Sequence, residues 1–179
     1  NMLKDICLKN NFNATSLRYF NAAGAHKSGE IGESHHPETH LIPNIIKAAL
    51  LRNKELKVFG NDYPTHDGAC VRDYVHVMDL AQAHFLSLEH MNSTKGFSVF
   101  NLGNGDGYSV IEVIKTCEDI YNYKIPYKVD ERRKGDPAIL VADSTKAIKL
   151  LGWDIQFDSL ESIITTAFKW HKNQQKDNF

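Results

Sequence analysis

Cysteine is scarce. The 179 residues contain three, Cys7, Cys70 and Cys117, widely separated and odd in number. That excludes a disulfide framework, leaves no paired-cysteine zinc pattern and suits a reducing cytoplasm. Long apolar runs are missing: none approaches the roughly 20 residues that cross a bilayer, and no signal peptide is read. A dominant sign of charge is missing too, since 21 basic residues face 22 acidic ones for a net charge of −1. That gives no electrostatic footprint for nucleic acid or an anionic membrane, so an anionic ligand must be held by a few placed cations. There are no internal repeats and no low-complexity segments. The chain also lacks an initiator methionine. It opens in NMLKDICLKNNF, where Leu3 and Cys7 keep helical spacing, and this reads as the middle of an element in a longer polypeptide.

What is present is an ordinary globular composition, 42% hydrophobic and 24% charged, within the size of a single domain. Short buried strands alternate with striped helices, as in an α/β fold. Residues 1–10 read as the end of a helix, Thr15–Phe20 as a strand, and Asn21–Gly24 as the turn leaving its carboxyl end. Ligands of open α/β sheets sit at such ends, so Asn21 is either a polar ligand contact or a turn residue bonded to its own backbone. The loop from His26 to His40 carries His35, His36 and His40. No cysteine or acid offers them a matched second half, and the adjacent pair cannot chelate from one helical face, so the loop reads as solvated and no metal is assigned. Pro43 falls in the first turn of a helix striped by Ile42, Ile45, Ile46, Ala49 and Leu50. Leu56–Phe59 is a short strand.

Asn61–Leu80, NDYPTHDGACVRDYVHVMDL, changes character twice. Asn61–Gly68 is turn chemistry. VRDYVHV then alternates, with Val71, Asp73, Val75 and Val77 on one face of a strand and Arg72, Tyr74 and His76 on the other. Asp79 and Gln82 have the register of a capping box opening a helix. Arg72 stands at the loop–strand junction, where a fixed guanidinium can reach an anionic ligand. On pattern alone it is better read as a structural arginine paired with Asp73 or another acid.

Downstream, a helix carries Ala81, Phe85 and Leu88, and Phe97–Leu102 is a buried strand. The loop Gly103-Asn-Gly105-Asp-Gly107 precedes a helix opened by Ser109 with Glu112, then a strand at Ile125–Val129 beside Asp130. This order imitates a dinucleotide fingerprint. The glycines, however, are spaced G-x-G-x-G, with Tyr108 where the third belongs, and Ser109 with Glu112 accounts for the helix start without a phosphate. The loop is therefore read as structural. Arg132–Pro137 is a basic turn, either solvated or a second clamp on phosphate oxygens. Ser144 is read as the cap of a helix closed by Gly152, and Asp158 with Glu161 as the start of the last helix. Residues 172–179 are expected to fray.

The run N-D-Y-P-T-x-D-G-x-x-V-R-D-Y-x-H-V-x-D-L resembles the signature of the UDP-glucose 4-epimerases, in the extended short-chain dehydrogenase/reductase superfamily. Leu17–Gly24 (LRYFNAAG), Phe100–Gly103 (FNLG) and Arg132–Asp136 (RRKGD) agree in order and spacing. The resemblance implies the carboxyl-terminal part of a Rossmann-like parallel sheet (residues 1–25 and 77–123) plus a small mixed α/β domain that binds the UDP-sugar (residues 26–76 and 124–179). It implies a cytoplasmic enzyme using NAD, with homodimers of the parent protein. It places Phe20 at the nicotinamide end of NAD and Asn21 on the substrate diphosphate. Lys57, Val58 and Phe59 line the uracil, Arg72 and Arg133 grip the UDP, and Asp136 holds the ribose hydroxyls.

His40, followed by Leu41, stands where many relatives carry asparagine, and it can still donate one hydrogen bond. Leu140 occupies a position that helps decide whether an N-acetyl group fits, and leucine is intermediate there. In the family's reaction C4 of the sugar is oxidised by enzyme-held NAD, the keto sugar rotates, and hydride returns to the opposite face. The base is the tyrosine of Tyr-x-x-x-Lys. No Tyr-x-x-x-Lys and no G-x-x-G-x-x-G occur in these residues, so the span is expected to carry the substrate-binding half and to be inactive alone. Alternatives are a related nucleotide-sugar epimerase or dehydratase, and a non-catalytic UDP-binding truncation product.

Overall fold

In the computed structural model, residues 2–52 and 55–176 are described. Three sets of strands are organised about β4. β1 (Ala14–Tyr19) pairs in parallel with β5 (Phe97–Leu102). β3 (Leu56–Phe59) pairs in parallel with β7 (Tyr127–Asp130). β4 (Val71–His76) joins three partners: β2 (Asn21–Ala23) in parallel along Tyr74–His76, β6 (Gly107–Ser109) antiparallel along Val71–Asp73, and the two-residue β8 (Ile139–Leu140) in parallel at Val71 and Arg72. The helices are α1 (Met2–Asn10), α2 (Leu41–Leu51), α3 (Val77–Ser93), α4 (Val110–Tyr121), α5 (Thr145–Leu151) and α6 (Leu160–Lys176). Among the described residues no helix is long and apolar enough to cross a membrane. The three cysteines are free and buried.

The alternation read in VRDYVHV divides two cores, and both faces of β4 are covered. Val75 packs with Phe100, Leu102, Leu80 and Trp153. Tyr74 packs with α2, α4 and α6 through Ile42, Ile114 and Ile164. α4 lies on α2 and α6, away from the β1–β5 pair, while α5 and Trp153 join β5 and α3. The Gly103–Gly107 loop turns the chain from one core to the other, which spacing alone does not reveal.

Helix starts differ from the sequence reading where a buried group captures the cap. α3 begins at Val77, and Nδ1 of His76 accepts from the Met78 amide at 3.0 Å. Asp79 instead accepts from the amides of Gln156 and Phe157, both at 3.1 Å, and its carbonyl accepts from the Trp153 indole. Ser144 stands at the N-cap of α5 and Gly152 at its C-cap, as read, but the Ser144 hydroxyl bridges the amide and carbonyl of Gly103 instead of accepting a helix amide. Ser159, not Asp158, accepts from the Ser162 amide in the first turn of α6. The expected tail is helical as far as Lys176, and residues 177–179 lie outside the described residues. Phe85 and Leu88 on α3 are exposed, with the helix burying Leu80 and Ala83 instead.

His76 is fully buried, stacked on Phe157 with ring centroids 3.7 Å apart. Its tautomer follows from its neighbours. Nδ1 accepts from Met78, so Nε2 carries the hydrogen and donates to Thr166 Oγ1 at 2.9 Å, and that hydroxyl donates onward to the Ile163 carbonyl. A second proton would turn the Nδ1 acceptor into a donor facing a donor. Burial holds the ring's pKa down to about 4 from 6.5. As pH falls the unfolded ring protonates first, so this contribution to stability is complete above the unfolded value and is lost between 6.5 and about 4. An NMR titration should find the folded ring still neutral at about pH 5; a midpoint at the ordinary histidine value would contradict the buried network.

Candidate functional site

The signature loop before β4 is a built turn. The Tyr63 amide donates to the Gly68 carbonyl at 2.9 Å, the Thr65 hydroxyl to the Ala69 carbonyl at 2.7 Å, and the Ala69 amide to Asp67 at 3.0 Å. The Ser109 hydroxyl donates to the other Asp67 oxygen while accepting the Glu112 amide, closing a capping box on α4. Gly68 lies at φ 81°, where a Cβ would stand 2.1 Å from the Asn61 carbonyl oxygen, so only glycine fits. Much of the signature therefore aims the start of β4 and touches no ligand.

Asp73, one residue after Arg72, faces away from the loop and is fully buried. Its carboxylate accepts the amides of Asn104 at 2.9 Å, Gly105 at 3.1 Å and Ala142 at 3.0 Å. Burial pushes its pKa up, opposed by these three amides. A Cβ on Gly103 would lie 2.4 Å from the carboxylate. The glycine loop that imitates a dinucleotide fingerprint thus spends two amides on an internal carboxylate, as its reading as structural requires.

Arg72 projects the other way, into a cleft of about 840 Å³. Its partner there is Asp136, not Asp73. Nη2 pairs with the Asp136 carboxylate, and Nη1 donates to the Val71 carbonyl at 2.6 Å. The two neighbouring arginines separate. Arg132 lies over the Tyr63 ring, 4.0 Å from its centroid, and pairs with Asp62. The Arg133 guanidinium lies over the Phe59 ring at 4.1 Å and lines the cleft. Phe20, Asn21, His40, Leu41 and Lys57 line it as well. Lys57 pairs with Asp130 at 3.0 Å.

Two residues singled out in the sequence are not among those lining the cleft. Val58 is 2% exposed and packs into the core behind β3, so its side chain cannot meet a ligand. Leu140 is exposed on β8, in register with Arg72. Cys70 and Tyr74 do line the cleft and went unread. They flank Arg72 at the strand period of two, the signal that would have found them. Burial raises the pKa of both, keeping them neutral beside the arginine.

The cleft can hold a ligand with two demands: anionic oxygens for guanidinium groups, and a flat ring beside Phe59. Comparison with known proteins gives it a setting. Residues 1–103 match the NAD dependent epimerase/dehydratase family. The chain belongs to that family. It is 51% identical over 156 residues to the UDP-glucose 4-epimerase of Halalkalibacterium halodurans, covering 87% of this chain and 47% of that one. With the Lactobacillus helveticus UDP-glucose 4-epimerase it shares 51% identity over 162 residues, 90% of this chain and 49% of the relative. It superposes on a Stenotrophomonas maltophila UDP-glucose 4-epimerase, solved with NAD and formylated UDP-arabinopyranose, with a TM-score of 0.93 and 38% identity over 98% of this chain and 53% of that one. For a Bifidobacterium longum UDP-glucose 4-epimerase with NAD+ and UDP the TM-score is 0.90 at 39% identity, covering 99% of this chain and 53% of that one. The α/β architecture with parallel strands is thus that of Rossmann-like epimerases, and the chain spans about half the length of the curated relatives it matches.

Proposed function

We propose that this chain is the UDP-sugar-binding half of a UDP-glucose 4-epimerase, which interconverts UDP-glucose and UDP-galactose through a 4-keto sugar. The carrying observation is the convergence of Arg72, Asp136, Arg133 and Phe59 on one cleft from three distant parts of the chain. Arg72 and Arg133 are the cations for a diphosphate, with Asn21 donating beside them. Asp136, a carboxylate already accepting from Arg72, suits a ribose diol while the guanidinium turns to phosphate oxygens. Phe59 and the backbone of Lys57 and Val58 form the wall for the base. His40 and Leu41 line the cleft as well, while Leu140, on β8 in register with Arg72 but outside the cleft lining, is the position to vary when N-acetylated sugars are tested.

NAD fits one edge of this chain. Phe20, at the carboxyl end of β1, lines the cleft beside Asn21 and is the residue here that would border the nicotinamide. The Gly103–Gly107 loop does not suit its pyrophosphate, because Asp73 holds two of the loop amides. When bound, NAD supplies reversible hydride transfer at the sugar C4. The residues of this chain bind the UDP handle firmly, and the proton at O4 is left to a Tyr-x-x-x-Lys that they do not contain.

The 179-residue chain should therefore release no NAD on denaturation and turn over no UDP-galactose. A polypeptide extended to include Tyr-x-x-x-Lys should do both. Turnover by the 179 residues alone would sink the division of labour. A 4-keto-6-deoxy product from the extended protein would favour a nucleotide-sugar dehydratase instead.

A further inference from the structure

A second site lies in the loop that leads into α2. Glu33, His35, Glu38 and His40 each present one ligand atom, and the four atoms lie within 4.8 Å of one another. The two acids are interleaved with the histidines in one short stretch, and the folded loop brings the four ligand atoms together. We propose that they form a site for a divalent first-row metal of the zinc type.

The geometry is close to what such an ion needs. His35 Nδ1 stands 3.8 Å and His40 Nδ1 3.9 Å from Glu38 Oε1. Ligands about 2.0–2.2 Å from a tetrahedral zinc lie roughly 3.4 Å apart, so these two separations need only a small closing movement. His40 Nδ1 and Glu33 Oε1 are in direct contact and would open by about 1 Å to admit the ion. Both Nδ1 atoms thus stand beside the same carboxylate oxygen, while the two imidazoles, stacked with 5.3 Å between centroids and 13° from parallel, would tilt apart to aim both in-plane lone pairs at one ion. Two imidazoles among four ligands select zinc, cobalt or nickel over magnesium and calcium, which take oxygen.

The ligands are held from behind. The Trp170 indole donates to the Glu33 carbonyl at 2.9 Å, and Asn44 donates to the His40 carbonyl at 2.9 Å. Glu38 is nearly buried, with Oε2 on Lys47 at 3.1 Å and Oε1 accepting the Thr39 and His40 amides, both at 3.0 Å. Metal-binding carboxylates keep such supporting bonds. His40 precedes α2 without capping it, so its ring serves the cluster and not the helix amides. A bound ion would pin the 33–40 loop to the start of α2 and stiffen that wall of the cleft.

The test uses the full-length protein, stripped with a chelator and titrated with zinc against a chromophoric competitor. One equivalent should bind, at least 10-fold more weakly in each of His35→Ala and Glu33→Gln, and cobalt should give the intense visible band of tetrahedral coordination. His35 is half exposed, so its alanine variant should fold, with circular dichroism as the check. Zinc affinity unchanged in both variants, or no stoichiometric binding, would overturn the site. UDP affinity is read separately, so failure of zinc to bind leaves the nucleotide-sugar reading standing, and the reverse holds as well.

Discussion

Asp73→Ala should destabilise the fold severely while leaving a measurable urea transition. The substitution removes the acceptor of three amides, that of Ala142 in the buried interior and those of Asn104 and Gly105 where water has partial access. Each buried donor without a partner costs about 1–3 kcal/mol. The buried Ala142 amide carries that full cost and the other two a part of it, so the combined loss, roughly 2–5 kcal/mol, takes a large share of the stability of a typical domain, about 5–15 kcal/mol. Asp73→Asn is the graded control, since it keeps one acceptor oxygen but turns an amide nitrogen toward donors. The order of urea midpoints should be wild type, then asparagine, then alanine. An alanine variant melting within a few degrees of wild type would mean that the loop re-forms its bonds elsewhere, and that Asp73 is not what joins the glycine loop and the 142 segment to β4.

Arg72→Ala should act on binding. Removing a charge-assisted contact to a diphosphate costs roughly 1.5–3 kcal/mol, or about 10- to 150-fold in UDP affinity. The measurement is calorimetric titration with UDP in the full-length protein, beside a melting curve, with Arg133→Ala as the parallel case. The Arg72–Asp136 pair makes the outcome informative. If that pair were only structural, the variant would lose melting temperature and keep its affinity for UDP. Because Arg72 is mostly but not wholly buried in the pair, a modest fall in melting temperature is expected as well. An unchanged dissociation constant in a well-folded Arg72→Ala protein would remove the residue on which the site most depends.

The sequence by itself determined the elements whose cause is local. The strands Leu56–Phe59 and Phe97–Leu102 have the boundaries read from composition. α2 carries its apolar stripe beyond Pro43, and the Ser109–Glu112 capping box forms as its spacing requires. The glycine loop was legible as structural because its spacing and the following cap left a phosphate no role. Arg72, Arg133 and Asp136 were singled out through runs of residues that resemble a family signature, and the fold brings all three to one cleft.

Tertiary structure decided what depends on partners distant in the chain. Pattern offered Asp73 or another acid as Arg72's partner; strand alternation sends Asp73 to the opposite face, and Asp136, 64 positions away, takes the guanidinium. It decided which of Arg132 and Arg133 enters the cleft, since Tyr63 and Asp62 capture the first and Phe59 the second. It moved the start of α3 to His76, because a buried imidazole with an acceptor nitrogen caps better there than an aspartate already engaged by Gln156 and Phe157. It also drew the ligand atoms of Glu33, His35, Glu38 and His40, residues interleaved in one loop, to within 4.8 Å of one another. Local propensity fixes where an element begins and which way its residues alternate. Which distant group completes a charge or a hydrogen bond is set only when the chain closes on itself, because a buried polar group takes whichever partner the packing brings within reach.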